Sequence, residues 1–297
     1  MKNTIITVLV LAIVGFGIYY FIKKSPTVVE NTPVVQNENN TQATTTTKTE
    51  GAVLVIGKSV EGREITAYNF GNGETRVLFV GGIHGGYSWN TSLVSYELMD
   101  YLKANPNAIP ANVTVTVIPT LNPDGLSKVA TTTGKFSASS VTASKTVQIS
   151  GRYNANKVDL SRNFDCNWQT TGKWQTTTVS GGSKVFSEPE SMAIKSYIET
   201  HSPSAVVVWY SAAGGVYASS CGGEPEEKTV ALTNLFAKAS GYKANLSFDF
   251  YETSGDFVNW LAKSNIPAIS VLLTTHTDTE WAKNKKGIDA VLQSFAK

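Results

Sequence analysis

The sequence predicts an α/β fold: a doubly wound, mostly parallel mixed sheet with helices on both faces, preceded by one N-terminal transmembrane helix. Three observations predict it. Short, nearly continuous apolar segments alternate with longer segments of helical periodicity, an order typical of parallel sheets covered on both faces. The first of these apolar segments ends in a glycine-rich turn, where α/β sheets commonly bind ligands. A long apolar run also lies near the N-terminus.

Residues 1–24 are predicted to form a membrane anchor or a signal sequence. The apolar run at residues 4–22 is flanked by lysines and has the roughly 20 residues that a membrane-spanning helix needs. It is longer than the apolar core of a signal peptide, and no A-x-A-like cleavage site follows it. These features favour a retained, single-pass anchor.

Residues 25–50 are predicted to be a flexible linker. They are rich in Thr, Asn, Gln, Pro and Val and contain no aromatic residue, so they cannot bury enough surface to fold. We expect them to hold one large α/β domain, residues 51–297, off a membrane and outside the cytoplasm. By the positive-inside rule, Lys23 and Lys24 beside the linker would favour the opposite topology.

The charge and cysteine content exclude some classes of function. A net charge of +2 and dispersed lysines give no sign of a nucleic-acid surface, so no nucleic-acid partner is expected. Cys166 and Cys221 could form one disulfide in an oxidising compartment, or they could be two unpaired small buried residues. Their separation does not resemble the spacing of zinc ligands.

Each element of the folded part is predicted from its own pattern. Apolar runs predict strands at residues 76–80, 113–118, 205–209 and 268–273. Helical periodicity predicts helices at residues 92–104, 188–200, 227–239 and 283–295. Ser187 and Glu190 have the S-x-x-E spacing of a capping box, which predicts a structural role at the start of the second helix. Residues 126–158 show little periodicity and are predicted to be a functional loop.

His84 follows the first predicted strand on the glycine-rich turn. A polar group just past the carboxyl end of a buried strand faces the usual ligand site of an α/β sheet. The alternative is a core histidine whose ring nitrogens are satisfied by backbone carbonyls. This segment alone leaves both interpretations open.

Five motifs occur in an order that is specific to one family of peptidases. They are residues 82–85 (Gly-Ile-His-Gly), 122–125 (Asn-Pro-Asp-Gly), 158–164 (Val-Asp-Leu-Ser-Arg-Asn-Phe), 187–190 (Ser-Glu-Pro-Glu) and the segment 251–260. Together they resemble the zinc metallocarboxypeptidases, the carboxypeptidase A-like peptidases. The resemblance covers essentially everything from Arg63 to the C-terminus, and it implies a mixed, mostly parallel sheet flanked by helices.

The resemblance implies that His84 is one of three zinc ligands. Ser88 and Tyr210 stand at the other two ligand positions, and Leu272 stands at the position of the general base. Three protein ligands and a water molecule make a catalytic zinc site, whereas one histidine would supply only about 4 kcal/mol, which is millimolar affinity. No cofactor of high affinity is therefore expected, and zinc is the expected metal if the protein is active.

The substrate-binding side of the family pattern is better preserved. The resemblance implies that Arg162 pairs with the terminal carboxylate of a peptide, with Ser161 in place of the usual Asn neighbour. It implies that Arg152 stabilises the oxyanion and that Tyr251 closes over the substrate. The alternative for Arg152 is a salt bridge within its loop.

Four hypotheses about function follow. The first is a membrane-tethered, metallocarboxypeptidase-like protein that has lost catalysis and binds the C-terminal carboxylate of peptides or peptidoglycan stem peptides. The second is an active zinc carboxypeptidase that hydrolyses such peptides with substitute ligands, for which His276 is the reserve. The third is a serine hydrolase that uses Ser88 with Asp256 and His276, although a G-x-S-x-G nucleophile elbow would need one more glycine. The fourth is a purely structural or adhesive domain.

Overall fold

A computed structural model describes residues 52–297 of the chain. Its strands are β1 (Val53–Lys58), β2 (Glu64–Gly71), β3 (Thr75–Val80), β4 (Val113–Ile118), β5 (Thr171–Trp174), β6 (Thr177–Ser180), β7 (Ala205–Ser211), β8 (Gly215–Ala218), β9 (Ala244–Asn245) and β10 (Ala268–Leu273). Its α-helices are α1 (Trp89–Ala104), α2 (Pro123–Ala130), α3 (Lys145–Ser150), α4 (Pro189–His201), α5 (Glu227–Ser240), α6 (Phe257–Lys263) and α7 (Trp281–Ser294).

The main sheet is mixed and has eight strands in the order β1-β2-β4-β3-β7-β10-β8-β9. The four inner strands, β4, β3, β7 and β10, pair in parallel. Strands β1 and β2 extend one side in antiparallel fashion, and β8 pairs antiparallel with β10 on the other. Strands β5 and β6 form a separate hairpin. The predicted α/β fold with a mixed sheet is confirmed.

Helices cover both faces of this sheet. On one face, α1, α5 and α7 pack against alternate side chains of the inner strands, such as Phe79 and Trp209. On the other face, α4 and α6 pack against the intervening side chains, such as Leu78 and Val208. Each inner strand is therefore buried on both sides, which explains its continuous apolar sequence.

The predicted elements match the inner strands and the long helices, and the shorter elements were not predicted. The strands predicted at 113–118 and 268–273 have the observed bounds, and the other predicted elements differ by one to three residues at an end. The stretch 126–158 was predicted as a loop, but it contains the end of α2 and all of α3. These helices are too short to show a clear period.

The predicted capping box before α4 is wrong. The N-cap residue is Glu188, and its side chain makes no capping hydrogen bond. Ser187 instead donates its hydroxyl to Glu188 Oε1, and Glu190 accepts hydrogen bonds from the Val60 backbone and the Asn154 side chain. The partners of Glu190 are distant in sequence and Ser187 donates to its neighbour, so the two residues do not form the reciprocal hydrogen bonds of a capping box.

The cysteines form a disulfide, Cys166–Cys221, which settles the alternative that the sequence left open. The predicted membrane anchor and linker, residues 1–24 and 25–50, lie outside the described residues. Within residues 52–297 no helix is both long and apolar enough to cross a membrane.

Candidate functional site

A cavity of about 650 Å³ opens at the carboxyl ends of β3, β7 and β10. The sequence predicted a site at this edge of the sheet. The predicted site residues that line the cavity are His84, Arg152, Ser161, Arg162, Tyr210, Tyr251 and Leu272. Ser88 follows His84 closely in sequence and is the N-cap residue of α1, but it is buried and does not line the cavity.

The glycine-rich turn after β3 places His84 at the cavity wall. Gly82 and Gly85 have φ values of +65° and +40°, which L side chains rarely adopt. A Cβ atom on Gly85 would lie 2.8 Å from the carbonyl oxygen of Gly151. The turn therefore packs tightly against the segment that carries Arg152, and it brings His84 and Arg152 together.

Four buried side chains form a closed ring of hydrogen bonds. Arg152 Nη1 lies 3.2 Å from His84 Nδ1, and His84 Nε2 lies 3.0 Å from Ser161 Oγ. Ser161 Oγ donates to Asp159 Oδ1 at 2.7 Å, and Arg152 Nε donates to Asp159 Oδ2 at 2.8 Å. A guanidinium can only donate, so His84 Nδ1 accepts and Nε2 carries the proton. His84 is thus a donor to Ser161 and is not placed as its general base.

The charges in this ring are set by burial and by each other. Burial, together with the nearby charge of Arg152, holds the pKa of His84 well below its ordinary value, so the imidazole is neutral. Burial is the largest single influence on Asp159 and would raise its pKa, but the charges of Arg152 and Arg162 and the hydrogen bond from Ser161 act together and lower it. Asp159 and Arg152 therefore form a buried ion pair.

The residues present do not fit a zinc ion. Both ring nitrogens of His84 are engaged in the ring of hydrogen bonds. The hydroxyls of Ser88 and Tyr210 are buried without a hydrogen-bond partner, and neutral hydroxyls are poor zinc ligands. Across residues 52–297, no group of three or more His, Cys, Asp or Glu residues could hold a metal ion.

The residues proposed for the alternative chemistries do not meet either. His276 packs its ring against Tyr87, with the ring centroids 4.4 Å apart, and its Nδ1 has no hydrogen-bond partner. Asp256 caps α6 by accepting from the backbone of Val258 and Asn259. The hydrogen bonds of the described part of the chain do not join Ser88, Asp256 and His276, so the catalytic triad of a serine hydrolase is not formed.

Arg162 is a buried cation without a carboxylate partner. Its Nη1 donates to the carbonyl and hydroxyl oxygens of Ser161 at 2.8 and 3.0 Å, and its Nε and Nη2 donate to the carbonyl of Lys173. Only 2% of Arg162 is exposed, and none of the ion pairs formed within residues 52–297 includes it. The ring of Tyr251 lies 5.9 Å from its guanidinium carbon. The site therefore holds a buried cation that has no direct ion-pair partner, and the carboxylates of Asp159 and Asp256 act on it only from a greater distance.

Several site residues were not predicted in these roles. Trp174 lies 4.6 Å from the Arg152 guanidinium and packs against Tyr87, with which it walls one side of the cavity. Asp159 is the ion-pair partner of Arg152, and its place in the motif at residues 158–164 was the signal that could have identified it. Asp256 also lines the cavity, and its Oδ2 makes no hydrogen bond with the described residues.

Comparison with known proteins identifies the family. The model of the zinc carboxypeptidase family, peptidase M14, matches residues 40–290. The chain belongs to the zinc carboxypeptidase family. The resemblance that the five motifs predicted is thereby confirmed, and the poor fit to zinc agrees with a divergent member.

Solved structures share this fold at low sequence identity. Murein-tripeptide amidase MpaA from Escherichia coli O157 is 20% identical, with a TM-score of 0.56 over 82% of this chain and 93% of that one. Carboxypeptidase A from Helicoverpa armigera is 18% identical, with a TM-score of 0.64 over 83% of this chain and 69% of that one.

One relative is similar in sequence over part of the chain. Bacteriocin BCN5 of Clostridium perfringens is 30% identical over 155 residues, which are 51% of this chain and 15% of the bacteriocin.

Proposed function

We propose that residues 51–297 bind the C-terminal carboxylate of peptides or of peptidoglycan stem peptides, and that catalysis is lost or severely impaired. The observation that carries the proposal is the buried guanidinium of Arg162, which donates hydrogen bonds only to neutral oxygens and forms no ion pair with the described residues. A buried charge is costly unless it is paired, and a carboxylate is the planar anion that an arginine binds best. Tyr251 beside it would cover the bound terminus.

The substrate class is supported by what related proteins act on. A murein-tripeptide amidase and carboxypeptidases share the fold, and bovine thrombin-activatable fibrinolysis inhibitor of the same fold forms a complex with tick carboxypeptidase inhibitor. The loss of catalysis is supported by the site itself. The residues at the ligand positions do not fit zinc, and Leu272 cannot transfer a proton.

Binding of matched peptides tests this proposal. Titration calorimetry would compare N-acetylated dipeptides that have a free or an amidated C-terminus, and only the free acids should bind. Arg162→Gln should weaken their binding roughly 10- to 150-fold, as expected for a hydrogen bond to a charged group. Lys238→Gln removes the same charge at an exposed position of α5 and should leave peptide binding unchanged. Stoichiometric zinc in protein purified without chelator, together with release of the C-terminal residue, would refute the loss of catalysis.

We also propose that the domain is tethered to a membrane and lies outside the cytoplasm. The apolar run at residues 4–22 supports a single-pass anchor. The disulfide Cys166–Cys221 supports an oxidising compartment. After cell fractionation, the full chain should stay with membranes washed in carbonate, and a variant lacking residues 4–22 should not. Recovery of both in the soluble fraction would contradict the proposal.

A further inference from the structure

Tyr210 carries a buried hydroxyl that has no hydrogen-bond partner. It lies at the carboxyl end of β7 and lines the cavity, and its ring meets the ring of His84 edge-on, with centroids 5.3 Å apart. The hydroxyl of a tyrosine is protonated at neutral pH, so it can donate a hydrogen bond. A buried donor left unsatisfied is destabilising, so the site favours a ligand that places an acceptor atom there.

Arg152 supplies a second unused donor beside the same histidine. Its Nη2 forms an ion pair with Asp159 Oδ2 at 2.8 Å, the oxygen to which Nε donates, but neither of its N–H bonds is aligned with an acceptor. Nη1 of the same guanidinium contacts His84. Tyr210 and Arg152 therefore flank His84, and each brings an unsatisfied donor to the wall of one cavity.

The charges around these donors select a neutral acceptor. The charge of Arg152 is already balanced by Asp159, and the carboxylate of Asp256 also acts on Tyr210. A second anion would meet this negative charge, whereas a peptide carbonyl oxygen would not. The terminal carboxylate is proposed to bind at Arg162, whose hydrogen bonds go only to neutral oxygens.

We propose that the Tyr210 hydroxyl, at a zinc-ligand position of the family, donates a hydrogen bond to the carbonyl oxygen of the acyl group on the terminal residue, with Arg152 Nη2 as the second donor. This inference rests on the proposed function. A hydroxyl binds this oxygen without the Lewis acidity of a metal ion, so the peptide is held and its carbonyl is not activated. The replacement of a ligand by tyrosine thus converts a catalytic contact into a binding contact.

Two small ligands isolate this contact. Nα-acetyl-lysine and 6-aminohexanoate share a carboxylate and a side-chain amine, and they differ only in the acetamido group. Tyr210→Phe should weaken binding of Nα-acetyl-lysine about three- to tenfold, the effect of one neutral hydrogen bond, and leave 6-aminohexanoate unchanged. Tyr217→Phe, which removes the hydroxyl of another tyrosine that lines the cavity, should change neither affinity. Thermal melts would establish that both variants are folded.

Each outcome decides the inference. Selective weakening of Nα-acetyl-lysine by Tyr210→Phe supports it. Equal weakening of both ligands would show that Tyr210 only shapes the cavity. No weakening of either would show that its hydroxyl does not contact the ligand. Either result overturns this inference and leaves the proposed binding of the carboxylate standing. If neither ligand binds the unchanged protein, carboxylate binding itself fails and the inference fails with it.

Discussion

At the scale of single residues, a buried ion pair contacts His84, which stands at a zinc-ligand position of the family. Asp159 is fully buried and pairs with Arg152, whose guanidinium also contacts His84. In this ring every member depends on the others, because each side chain is hydrogen-bonded to two of the other three. The residues that remain from the family pattern are therefore held by hydrogen bonds among themselves.

The Arg152–Asp159 pair should be important for stability. Asp159→Asn leaves the charge of Arg152 buried without a partner, and we expect it to lower the free energy of unfolding by about 3–5 kcal/mol. Asp165→Asn, which breaks the exposed pair with Lys263, should cost about 1 kcal/mol or less. Urea unfolding of the two variants measures the difference. Similar losses in both would show that the ring is not a stabilising unit.

Asp256 should determine which terminal side chain binds. Asp256 lines the cavity and interacts electrostatically with Arg162, and its Oδ2 makes no hydrogen bond with the described residues, so we expect preference for an amine-bearing side chain. Asp256→Asn should reduce the affinity for Nα-acetyl-lysine about tenfold, equivalent to about 1.4 kcal/mol, and leave that for Nα-acetyl-norleucine unchanged. Asparagine caps a helix as well as aspartate does, so α6 should remain intact. Equal changes for both ligands in calorimetry would contradict this role.

At the scale of elements, the turn after β3 determines whether the site forms. Gly85 needs a positive φ and also a close approach of backbone, since a Cβ would lie 2.8 Å from Gly151 O and 2.9 Å from Asn122 O. The same turn therefore fixes both the direction of His84 and the packing of the Arg152 segment. These two requirements can be separated by mutation.

Substitution of two glycines separates conformation from packing. Gly241→Ala at the end of α5 has φ of +81° with no atom within 4 Å of the new Cβ, so it should cost about 1–2 kcal/mol for the backbone alone. Gly85→Ala adds a steric clash and should cost more, and it should also weaken peptide binding. Urea unfolding and calorimetry measure the two effects. A Gly85→Ala variant that is no less stable than Gly241→Ala would contradict tight packing of the turn.

At the scale of the whole molecule, the sequence predicted what depends on periodicity and left out what depends on distant contacts. The inner strands were predictable because burial on both faces makes them continuously apolar. Strand β8 has only four residues and β1 is largely exposed, so neither carries such a signal. The motifs identified His84 and Arg162, but not the His84–Ser161 contact, which joins positions 77 residues apart. Only the fold brings such partners together.

The stability of the whole domain should fall in alkaline solution, because several of its tyrosines are buried. Burial raises the pKa of Tyr96 to about 12, whereas the unfolded chain titrates near 10. The folded state therefore keeps the proton of Tyr96 up to a higher pH than the unfolded chain does. The stability from Tyr96 is fully present below pH 10 and is lost as the pH rises from about 10 to 12, by about 2–3 kcal/mol.

Urea unfolding between pH 9 and pH 12 measures this loss, with Tyr96→Phe as the matched variant. Tyr96 packs in the core around α1, and its hydroxyl donates a long hydrogen bond, 3.3 Å, to the carbonyl of Thr133 and interacts with the side chain of Thr120. Phenylalanine should therefore keep the packing. The variant should lose less stability than the unchanged protein over this range. It should not become fully insensitive, because burial also raises the pKa of Tyr242 and Tyr210. Parallel profiles of the two proteins would show that the ionisation of Tyr96 is not coupled to unfolding.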